Sequence, residues 1–245
     1  MAGENHLISI IIPTLQEVKV IGATLSGLKI SIPHELIVSD GGSSDQTAAI
    51  ARQFTNQVLV HDGRTRQTIA QGRNVGARAA HGEFLIFLDA DCTIENPDDF
   101  FAAALAHFRV DPKLVALTAR LRVLPSQETL GDKLIFGLVN TVTRIRNNVW
   151  QKGDAPGGEF QMVRARAFHS LGGYREDLVT CEDRDLFARL AGLGRVRSDP
   201  QLTVFHTGRR AHNIGWPRLI LVFFVNRISF RIRGKAFSKE WTVER

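Results

Sequence analysis

Cysteines and long apolar runs are almost missing from this sequence. Cys92 and Cys181 are the only cysteines among 245 residues. Two cysteines are too few for a disulfide framework, and their spacing fits no zinc site. Since no run of about 18 apolar residues is present, no segment is expected to span a bilayer. Residues 1–7 also lack the pattern of a signal peptide. These absences predict a cytoplasmic protein.

The composition is that of an ordinary globular protein. Apolar residues make up 44% of the chain and charged residues 23%, a balance that argues against a disordered or fibrous protein. The sequence contains no internal repeat and no low-complexity linker. We therefore predict one large domain over residues 1–212, followed by a basic and apolar helical tail over residues 213–245.

The net charge of +6 comes entirely from the C-terminal end. Residues 207–245 contain nine Lys or Arg and two Glu, whereas residues 1–206 contain 22 Lys or Arg and 23 Asp or Glu. This excess predicts an anionic partner, such as substrate phosphates, an anionic membrane surface or nucleic acid. The alternative is a basic terminus that is simply solvated.

Short apolar runs alternate with helical segments through the first 125 residues. The predicted strands there are 8–12, 35–38, 58–60, 84–88 and 114–123, and the predicted helices are 16–28, 45–54 and 73–80. Later segments predict helices at 130–149, 164–171 and 183–191 and strands at 160–163 and 202–205. This order is typical of an α/β fold with a Rossmann-like, mainly parallel sheet flanked by helices.

Acidic residues follow two of the predicted strands. Asp40 follows strand 35–38, and Asp89 and Asp91 follow strand 84–88. In parallel sheets ligands bind at the carboxyl ends of strands, and carboxylates gathered there repel one another unless a cation offsets their charge. The sequence therefore predicts a Mn²⁺ or Mg²⁺ site at Asp89 and Asp91. The alternative role for Asp91 is to cap a helix near Asn96.

Several motifs occur in the order of a known family. They are Ile10–Thr14 with Glu17, Glu35–Thr47, Gly72–Gly76, Phe87–Asp91, Gly172–Tyr174 and Glu182–Leu186. The chain resembles the family 2 glycosyltransferases from Ile8 to about Arg210. The resemblance implies a GT-A fold and inverting transfer of a sugar from a UDP-sugar, or alternatively a GDP-sugar, to an acceptor hydroxyl. One departure is Ser39, where many relatives carry another acidic residue, so contacts to the base are less well defined.

On the donor side, the resemblance implies a set of nucleotide-binding residues: Pro13, Thr14, Glu17, Asp40, Arg73, Asp89, Arg209 and Arg210. Glu17 would accept hydrogen bonds from the ribose, and Asp40 would bind the base. Arg73 has two open alternatives, a contact with the nucleotide or an ion pair with an acidic neighbour. Arg209 and Arg210 suit a diphosphate because guanidinium groups match phosphate oxygens.

The cation and the donor sugar would be held by residues from different parts of the chain. Asp89, Asp91 and His206 would bind the cation, and His206 could instead contact the diphosphate. A lone histidine is more often structural, which remains an alternative. Gly157 and Gly158 resemble the turn that lines the donor sugar and acceptor, where a missing side chain allows close approach.

On the acceptor side, the resemblance implies that Asp183 is the general base. A base must lie within hydrogen-bond reach of the acceptor hydroxyl, and the neighbouring Glu182 is a possible substitute. Asp185 is expected to be structural or to pair with Arg189 one helical turn later.

The tail segment Trp216–Gly234 combines apolar residues with clustered arginines. Such a helix suits peripheral contact with anionic lipid, which would suit a lipid-linked acceptor at the inner face of the membrane. Packing on the domain or on a second copy in a homodimer is an equal alternative.

Two other classes of protein fit the sequence less well. A sugar-1-phosphate nucleotidyltransferase is expected to carry a Gly-rich basic loop after its first strand, and Pro13–Glu17 is not one. A non-enzymatic membrane or nucleic-acid binding module would explain the basic tail but not the convergent carboxylates, which repel phosphate. The sequence therefore favours an enzyme that does not bind nucleic acid.

Overall fold

The computed structural model describes residues 7–63, 65–235 and 237–238, in which the strands are all part of one sheet. The strands are β1 (Ile8–Thr14), β2 (His34–Asp40), β3 (Gln57–Val60), β4 (Phe84–Leu88), β5 (Cys92–Thr93), β6 (Leu114–Val123), β7 (Phe160–Arg164) and β8 (Arg195–His206). Their spatial order is β3-β2-β1-β4-β7-β6-β8-β5.

Most strands of the sheet point the same way. β1 pairs in parallel with β2 and β4, and β2 pairs in parallel with β3. β7 is antiparallel to both β4 and β6, so β6 runs in the direction of β4, and β8 runs parallel to β6. The predicted mainly parallel sheet is confirmed. It contains two reversed strands, β7 and the short β5, that the sequence did not reveal.

Helices cover both faces of the sheet. They are α1 (Ile21–Ser26), α2 (Thr47–Ala51), α3 (Ile69–Ala79), α4 (Pro97–Val110), α5 (Leu130–Arg144), α6 (Ala165–Ser170), α7 (Glu182–Leu190), α8 (Arg209–Ile214) and α9 (Trp216–Arg233). A π-helical turn, Ile145–Val149, continues α5. None of the helices in these ranges combines the length and the apolar character that crossing a bilayer requires.

The central strand β4 is buried on both faces. Phe84, Ile86 and Leu88 belong to one hydrophobic cluster, whereas Leu85 and Phe87 belong to the cluster on the opposite face. Strands covered by helices on both sides carry continuous apolar runs. This burial explains why the sequence defined β4 so clearly.

Side-chain caps define two of the longer helices. Thr68 and Gln71 form a capping box at α3, and Thr129 and Asp132 form one at α5. Each box satisfies two backbone N–H groups that a helix start leaves without partners. At Gly76, a Cβ atom would lie 2.4 Å from Cγ2 of Ile11, so glycine allows α3 to approach β1 closely.

Two predicted elements differ most from the structure. The helix predicted over residues 16–28 is only α1, because Gln16 adopts a positive φ of 61°. The strand predicted at 202–205 is the end of the longer β8, which continues past Pro200 through a register shift. Helix α4, with Pro97 in its first turn, lies where the sequence suggested a helix near Asn96 without giving its bounds. The division of the chain at residue 212 stays a prediction, and tail residues 236 and 239–245 lie outside the described residues.

Glu35 ties the strands together at the edge opposite the carboxyl ends. Its carboxylate accepts hydrogen bonds from Ser9 Oγ (2.6 Å) on β1, from Gln57 Nε2 (2.9 Å) on β3 and from the His81 backbone N–H before β4. Burial alone would raise the pKa of Glu35, but these donors outweigh it and lower the pKa to about 2. The charged form is therefore the form that stabilises the sheet.

Replacing Glu35 by Gln should lower the free energy of unfolding by roughly 1–3 kcal/mol at neutral pH, since a charged acceptor is lost. A lowered folded-state pKa contributes stability above the ordinary value of 4.5 that is lost as pH falls toward 2. The difference between wild type and Glu35→Gln should therefore shrink across that window in urea unfolding. Glu95→Gln, at an exposed glutamate, should follow the wild-type profile, and a pH-independent difference for Glu35→Gln would contradict this account.

Candidate active site

The predicted site residues converge at the carboxyl ends of the parallel strands. Thr14, Asp40 and His206 are the last residues of β1, β2 and β8, and Asp89 follows β4 directly. β7 runs the other way, so its beginning lies at this edge beside the end of β4. Gly157 and Gly158 precede it. The fold therefore brings together residues from both halves of the sequence.

Arg73 on α3 is the centre of this arrangement. Its guanidinium is 1% exposed and forms ion pairs with Asp89 (3.0 Å), Glu182 (3.1 Å) and Asp183 (2.7 Å). Burial opposes the charge, but Asp183 and Asp89 outweigh it and raise the pKa of Arg73. Of the two alternatives for Arg73, this arrangement matches the ion pair with acidic neighbours. Arg73 therefore connects Asp89, after β4, with Glu182 and Asp183 at the start of α7.

Gly158 leaves the space that the Arg73 guanidinium occupies. A Cβ atom at Gly158 would lie 1.8 Å from Nη2 of Arg73 and 3.2 Å from Oδ2 of Asp89. At Gly157 a Cβ atom would instead lie 2.1 Å from Oε2 of Glu159. Both glycines lie at the site. A side chain at Gly158 would overlap the Arg73 guanidinium, so a glycine is needed there.

Asp183 is oriented by side chains from two elements, α3 and β7. In addition to Arg73, Gln161 Nε2 on β7 donates to its Oδ1. Tyr174 O–H donates to Oε1 of Gln161 (2.8 Å), which fixes the amide so that its N–H₂ group faces Asp183. Gln161 is a polar core residue that the sequence did not single out, because a glutamine within a strand carries no signal of its partners.

Glu182 differs from Asp183 in its environment. It is buried in the first turn of α7, and burial, then repulsion from Asp183, raise its pKa to about 8. Glu182 therefore holds a proton more readily than an exposed glutamate, and its side chain is less exposed (7%) than that of Asp183 (15%).

Glu159 is a further acid at the site that the sequence did not indicate. Burial and the nearby charge of Asp89 raise its pKa to about 8. Its Oε2 is buried and has no hydrogen-bond partner among the described residues. Such an atom requires explanation, and a ligand held between Asp89 and β7 would supply its partner.

Unpartnered polar atoms also line the ends of β1 and β2. Thr14 Oγ1, Ser39 Oγ and Asp40 Oδ2 are buried without hydrogen-bond partners in the part of the chain that is described. The other oxygen of Asp40 accepts from the backbone N–H groups of Gly42 (2.8 Å) and Ser43 (2.7 Å). Pro13 pairs with Ser39 in the β1–β2 register. This end of the site presents polar groups to a ligand.

Arg209 connects Glu17 with Asp91. Its guanidinium binds both carboxylate oxygens of Glu17, with Nη1 donating to Oε2 at 2.7 Å, and its Nε lies 3.5 Å from Oδ2 of Asp91. Thr207 Oγ1 also donates to Asp91. Asp91 therefore contacts residues after β8, and the side chain of Asn96, at the start of α4, makes no capping hydrogen bond. The helix-cap role for Asp91 was wrong.

His206 is buried at the end of β8. Its Nδ1 accepts from the backbone N–H of Gly208 (3.2 Å), and its Nε2 is unpartnered among the described residues. Burial lowers the pKa of His206. With Nδ1 accepting, the neutral ring carries its proton on Nε2, which suits donation to a phosphate oxygen. Binding a cation through Nε2 would require the Gly208 hydrogen bond to break.

The acidic pair fits a cation only together with a ligand. Within the described ranges, no three His, Cys, Asp or Glu side chains are placed to hold a metal ion. Mg²⁺, however, is usually held by one or two carboxylates plus substrate phosphates. Asp91 fits that role, whereas Asp89 is already paired with Arg73.

Two further residues named in the sequence analysis lie beside the site. Arg210 follows Arg209 in α8 and is half-buried. Asp185 pairs with Arg189 at 2.7 Å, as expected.

The model of glycosyl transferase family 2 matches residues 9–172. Poly-beta-1,6-N-acetyl-D-glucosamine synthase of Staphylococcus epidermidis is 26% identical over 179 residues, covering 71% of this chain and 43% of that protein. Succinoglycan biosynthesis protein ExoA of Rhizobium meliloti is 29% identical over 204 residues, covering 76% and 58%. The chain thus spans about half the length of these relatives.

Solved structures show the same fold. The mannosyltransferase PcManGT of Pyrobaculum calidifontis, in complex with GDP-Man and Mn²⁺, has a TM-score of 0.72 at 21% identity, covering 95% of this chain and 66% of that one. TarS of S. aureus in complex with UDP-GlcNAc has a TM-score of 0.60 at 20% identity, covering 80% and 57%. The expected GT-A fold is confirmed.

Gly158→Ala should displace Arg73 from Asp89, because the new methyl group would overlap the guanidinium that three carboxylates hold at that position. Breaking a buried ion pair costs about 3–5 kcal/mol, so a loss of that order in urea unfolding is expected. Gly137→Ala on α5 is the matched control, since a Cβ atom there meets nothing within 4 Å. It should be neutral or stabilising by up to about 1 kcal/mol. Equal stability of both variants would show that Arg73 is not confined in this way.

Proposed function

Because the chain belongs to glycosyl transferase family 2, we propose that it transfers a sugar from a nucleotide diphosphate sugar to an acceptor hydroxyl, with inversion at the anomeric carbon. The observation that carries the proposal is the Arg73 cluster. One buried guanidinium aligns Asp89, on the side expected to bind the donor, with Asp183, on the side expected to bind the acceptor. Family membership argues against both the nucleotidyltransferase and the non-enzymatic binding module.

The nucleotide would bind at the ends of β1 and β2. Thr14 Oγ1, Ser39 Oγ and Asp40 Oδ2 lack partners in the described structure, and a base and ribose would supply them. Pro13 would pack against the base. Two proteins of the same fold were solved with GDP-Man and with UDP-GlcNAc. A UDP-sugar is the donor we expect first, and a GDP-sugar is the alternative.

The diphosphate would lie between Asp91 and the residues that follow β8. Asp91 would hold Mn²⁺ or Mg²⁺, which stabilises the charge on a leaving diphosphate, and Asp89 would contribute to ribose or cation binding. Arg209, Arg210 and the Nε2–H group of His206 are cationic or neutral donors suited to phosphate oxygens. The Mn²⁺ in the mannosyltransferase complex supports use of a divalent cation.

Asp183 is the general base in this proposal. Its carboxylate is held by Arg73 and Gln161, so its orientation is fixed before the acceptor arrives. Glu182 is less suited, because its side chain is less accessible (7% exposed) than that of Asp183 (15%). Asp183 would accept the proton of the acceptor hydroxyl as that oxygen attacks the anomeric carbon and the bond to the diphosphate breaks. Gly157 and Gly158 would leave room for the sugar being transferred.

A panel of UDP-, GDP-, ADP- and dTDP-sugars with Mn²⁺ or Mg²⁺ tests nucleotide binding. One nucleotide should raise the melting temperature by about 5–10 °C at roughly 100 times its Kd. Asp91→Asn should abolish the metal-dependent part, whereas Asp99→Asn, at an exposed acid, should not. Asp183→Asn should keep this stabilisation but lose about 10²–10⁴-fold in donor turnover. If no nucleotide stabilises the chain with metal present, the proposed function is refuted.

Helix α9 carries an apolar stripe that faces away from the domain. Its buried residues include Leu219 and Ser229, whereas Leu221, Phe224 and Ile228 are exposed on the opposite side, with Arg231 beside them. A second exposed stripe on α5 contains Leu130, Leu134 and Leu138. The start of α9 adjoins α5, since Trp216 Nε1 donates to Asp132 (2.8 Å).

We propose that these stripes bind an anionic membrane surface peripherally, on its cytoplasmic side. Apolar side chains flanked by arginines suit the boundary between headgroups and acyl chains. α9 also packs on the domain through Leu219. The proposal therefore combines two predictions for the tail, membrane contact and packing on the domain. A homodimer formed through the same face remains the competing prediction.

Flotation with vesicles tests the membrane proposal. The wild-type chain should float with phosphatidylglycerol vesicles and not with phosphatidylcholine vesicles alone. Combined replacement of Leu221, Phe224 and Ile228 by Ser should abolish flotation, because the apolar contact is lost. Val110→Ser is the matched control, since Val110 is an apolar residue 85% exposed at the end of α4. Absence of any lipid-dependent difference, together with self-association that the triple variant removes, would assign the stripe to a dimer.

A further inference from the structure

Glu159 lies directly before β7, beside Asp89. The last residue of β4 pairs with the first residue of β7, so Asp89 after β4 and Glu159 before β7 lie across from each other. The carboxyl of Glu159 turns back over the glycine turn, where a Cβ atom at Gly157 would lie 2.1 Å from its Oε2. A Cβ atom at Gly158 would lie 3.2 Å from Oδ2 of Asp89. The two carboxyl groups therefore border the same pair of glycines.

The carboxyl of Glu159 lacks the partners that Glu35 and Asp89 have. Its Oε2 is buried without a hydrogen-bond partner among the described residues, and no basic side chain among them forms an ion pair with it. Glu35, by contrast, binds side chains on both neighbouring strands, and Asp89 pairs with Arg73. A buried polar atom without a partner is costly. A purely structural role therefore does not explain Glu159.

Glu159 is nevertheless open to a ligand. The residue as a whole is half-buried, so its side chain is not sealed within the core. The last torsion of a glutamate side chain is soft and nearly two-fold, so either oxygen can turn toward a bound group. Gln161, two residues later in β7, donates to the proposed base Asp183, and alternate residues of a strand face the same side. Glu159 therefore lies on the side of the sheet that faces Asp183.

The sugar of the donor is the ligand that fits this position. In a single displacement the base and the leaving diphosphate lie on opposite sides of the anomeric carbon. The sugar would therefore lie between Asp183 and the diphosphate expected at Asp91, next to the glycine turn that Glu159 covers. Sugar hydroxyl groups donate hydrogen bonds, and a carboxyl group accepts them whether it is protonated or ionised.

We propose that Glu159 is a specificity residue for the donor sugar, and that it accepts a hydrogen bond from one hydroxyl group of the hexose being transferred. This inference rests on the proposed function, because it requires a nucleotide sugar as the donor. Glu159 takes no part in proton transfer. Its replacement should therefore weaken binding of the sugar without changing how the nucleoside diphosphate binds.

Calorimetric titration in the presence of Mn²⁺ tests this role. The ligands are UDP and UDP-glucose, or the matching pair for guanine, adenine or thymine if that nucleotide stabilises the chain most. Glu159→Ala should weaken binding of the sugar nucleotide about tenfold and leave the nucleoside diphosphate within about twofold, because only the acceptor for the sugar is lost. Glu159→Gln keeps an acceptor oxygen and should restore binding of the sugar nucleotide to within about threefold of wild type.

Deoxy analogues of the sugar nucleotide, each lacking one hydroxyl group, identify the partner of Glu159. One analogue should bind wild type about tenfold more weakly than the complete sugar nucleotide, and Glu159→Ala should bind the two equally, because the same hydrogen bond cannot be lost twice. Glu95→Ala is the matched control, since it removes a glutamate at an exposed position, and it should leave every ligand within about twofold.

Each outcome decides the proposal. Equal losses of the nucleoside diphosphate and the sugar nucleotide in Glu159→Ala would assign Glu159 to the nucleotide pocket and overturn its role in sugar selection. A loss that Glu159→Gln does not restore, or deoxy analogues that all lose the same factor in wild type and Glu159→Ala, would overturn it as well. Nucleotide binding that Glu159→Ala leaves unchanged for every ligand refutes the sugar role alone. Absence of nucleotide binding by the wild-type chain refutes the proposed function.

Discussion

The ion pairs of Arg73 are the interaction on which the site depends. A fully buried guanidinium is costly unless carboxylates surround it, and here Asp89, Glu182 and Asp183 do so. One guanidinium faces three carboxylates, and burial together with repulsion from Asp183 raises the pKa of Glu182. Asp91 adds another carboxylate nearby. The excess of negative charge at this edge of the sheet suits a divalent cation that arrives with the donor diphosphate.

Local backbone features make the Arg73 cluster possible. Gly158 leaves space for the guanidinium, and Cys181, with a φ of 68°, turns the chain so that α7 begins at Glu182. A positive φ is unfavourable for a residue with a side chain. Such strain persists only where surrounding contacts hold it, and the ion pairs of Arg73 with Glu182 and Asp183 are contacts of that kind. The backbone and the charge cluster therefore stabilise one another.

The elements that depend on neighbouring residues in the sequence were predicted well, whereas contacts between distant residues were not. Strands β4 and β6 were predicted with their observed bounds, β4 from a continuous apolar run and β6 from alternating apolar and polar residues. β8 was predicted too short, since Pro200 normally ends a strand and only the neighbouring β6 reveals the shift in register. The acidic residues after the strands were found from their positions. The partners of Arg73 were not, because ion pairs such as Arg73–Asp183 join residues 110 positions apart.

The expected donor side and the expected acceptor side of the site come from different parts of the chain. The family match ends at residue 172, and it includes Asp40, Arg73, Asp89 and Asp91, which form the expected donor side. Asp183, the proposed general base, follows that point. Arg209 also lies beyond it, yet it binds Glu17 near the start of the chain. The expected donor side therefore lies mostly within the family match and is completed by Arg209, whereas the proposed base lies outside the match.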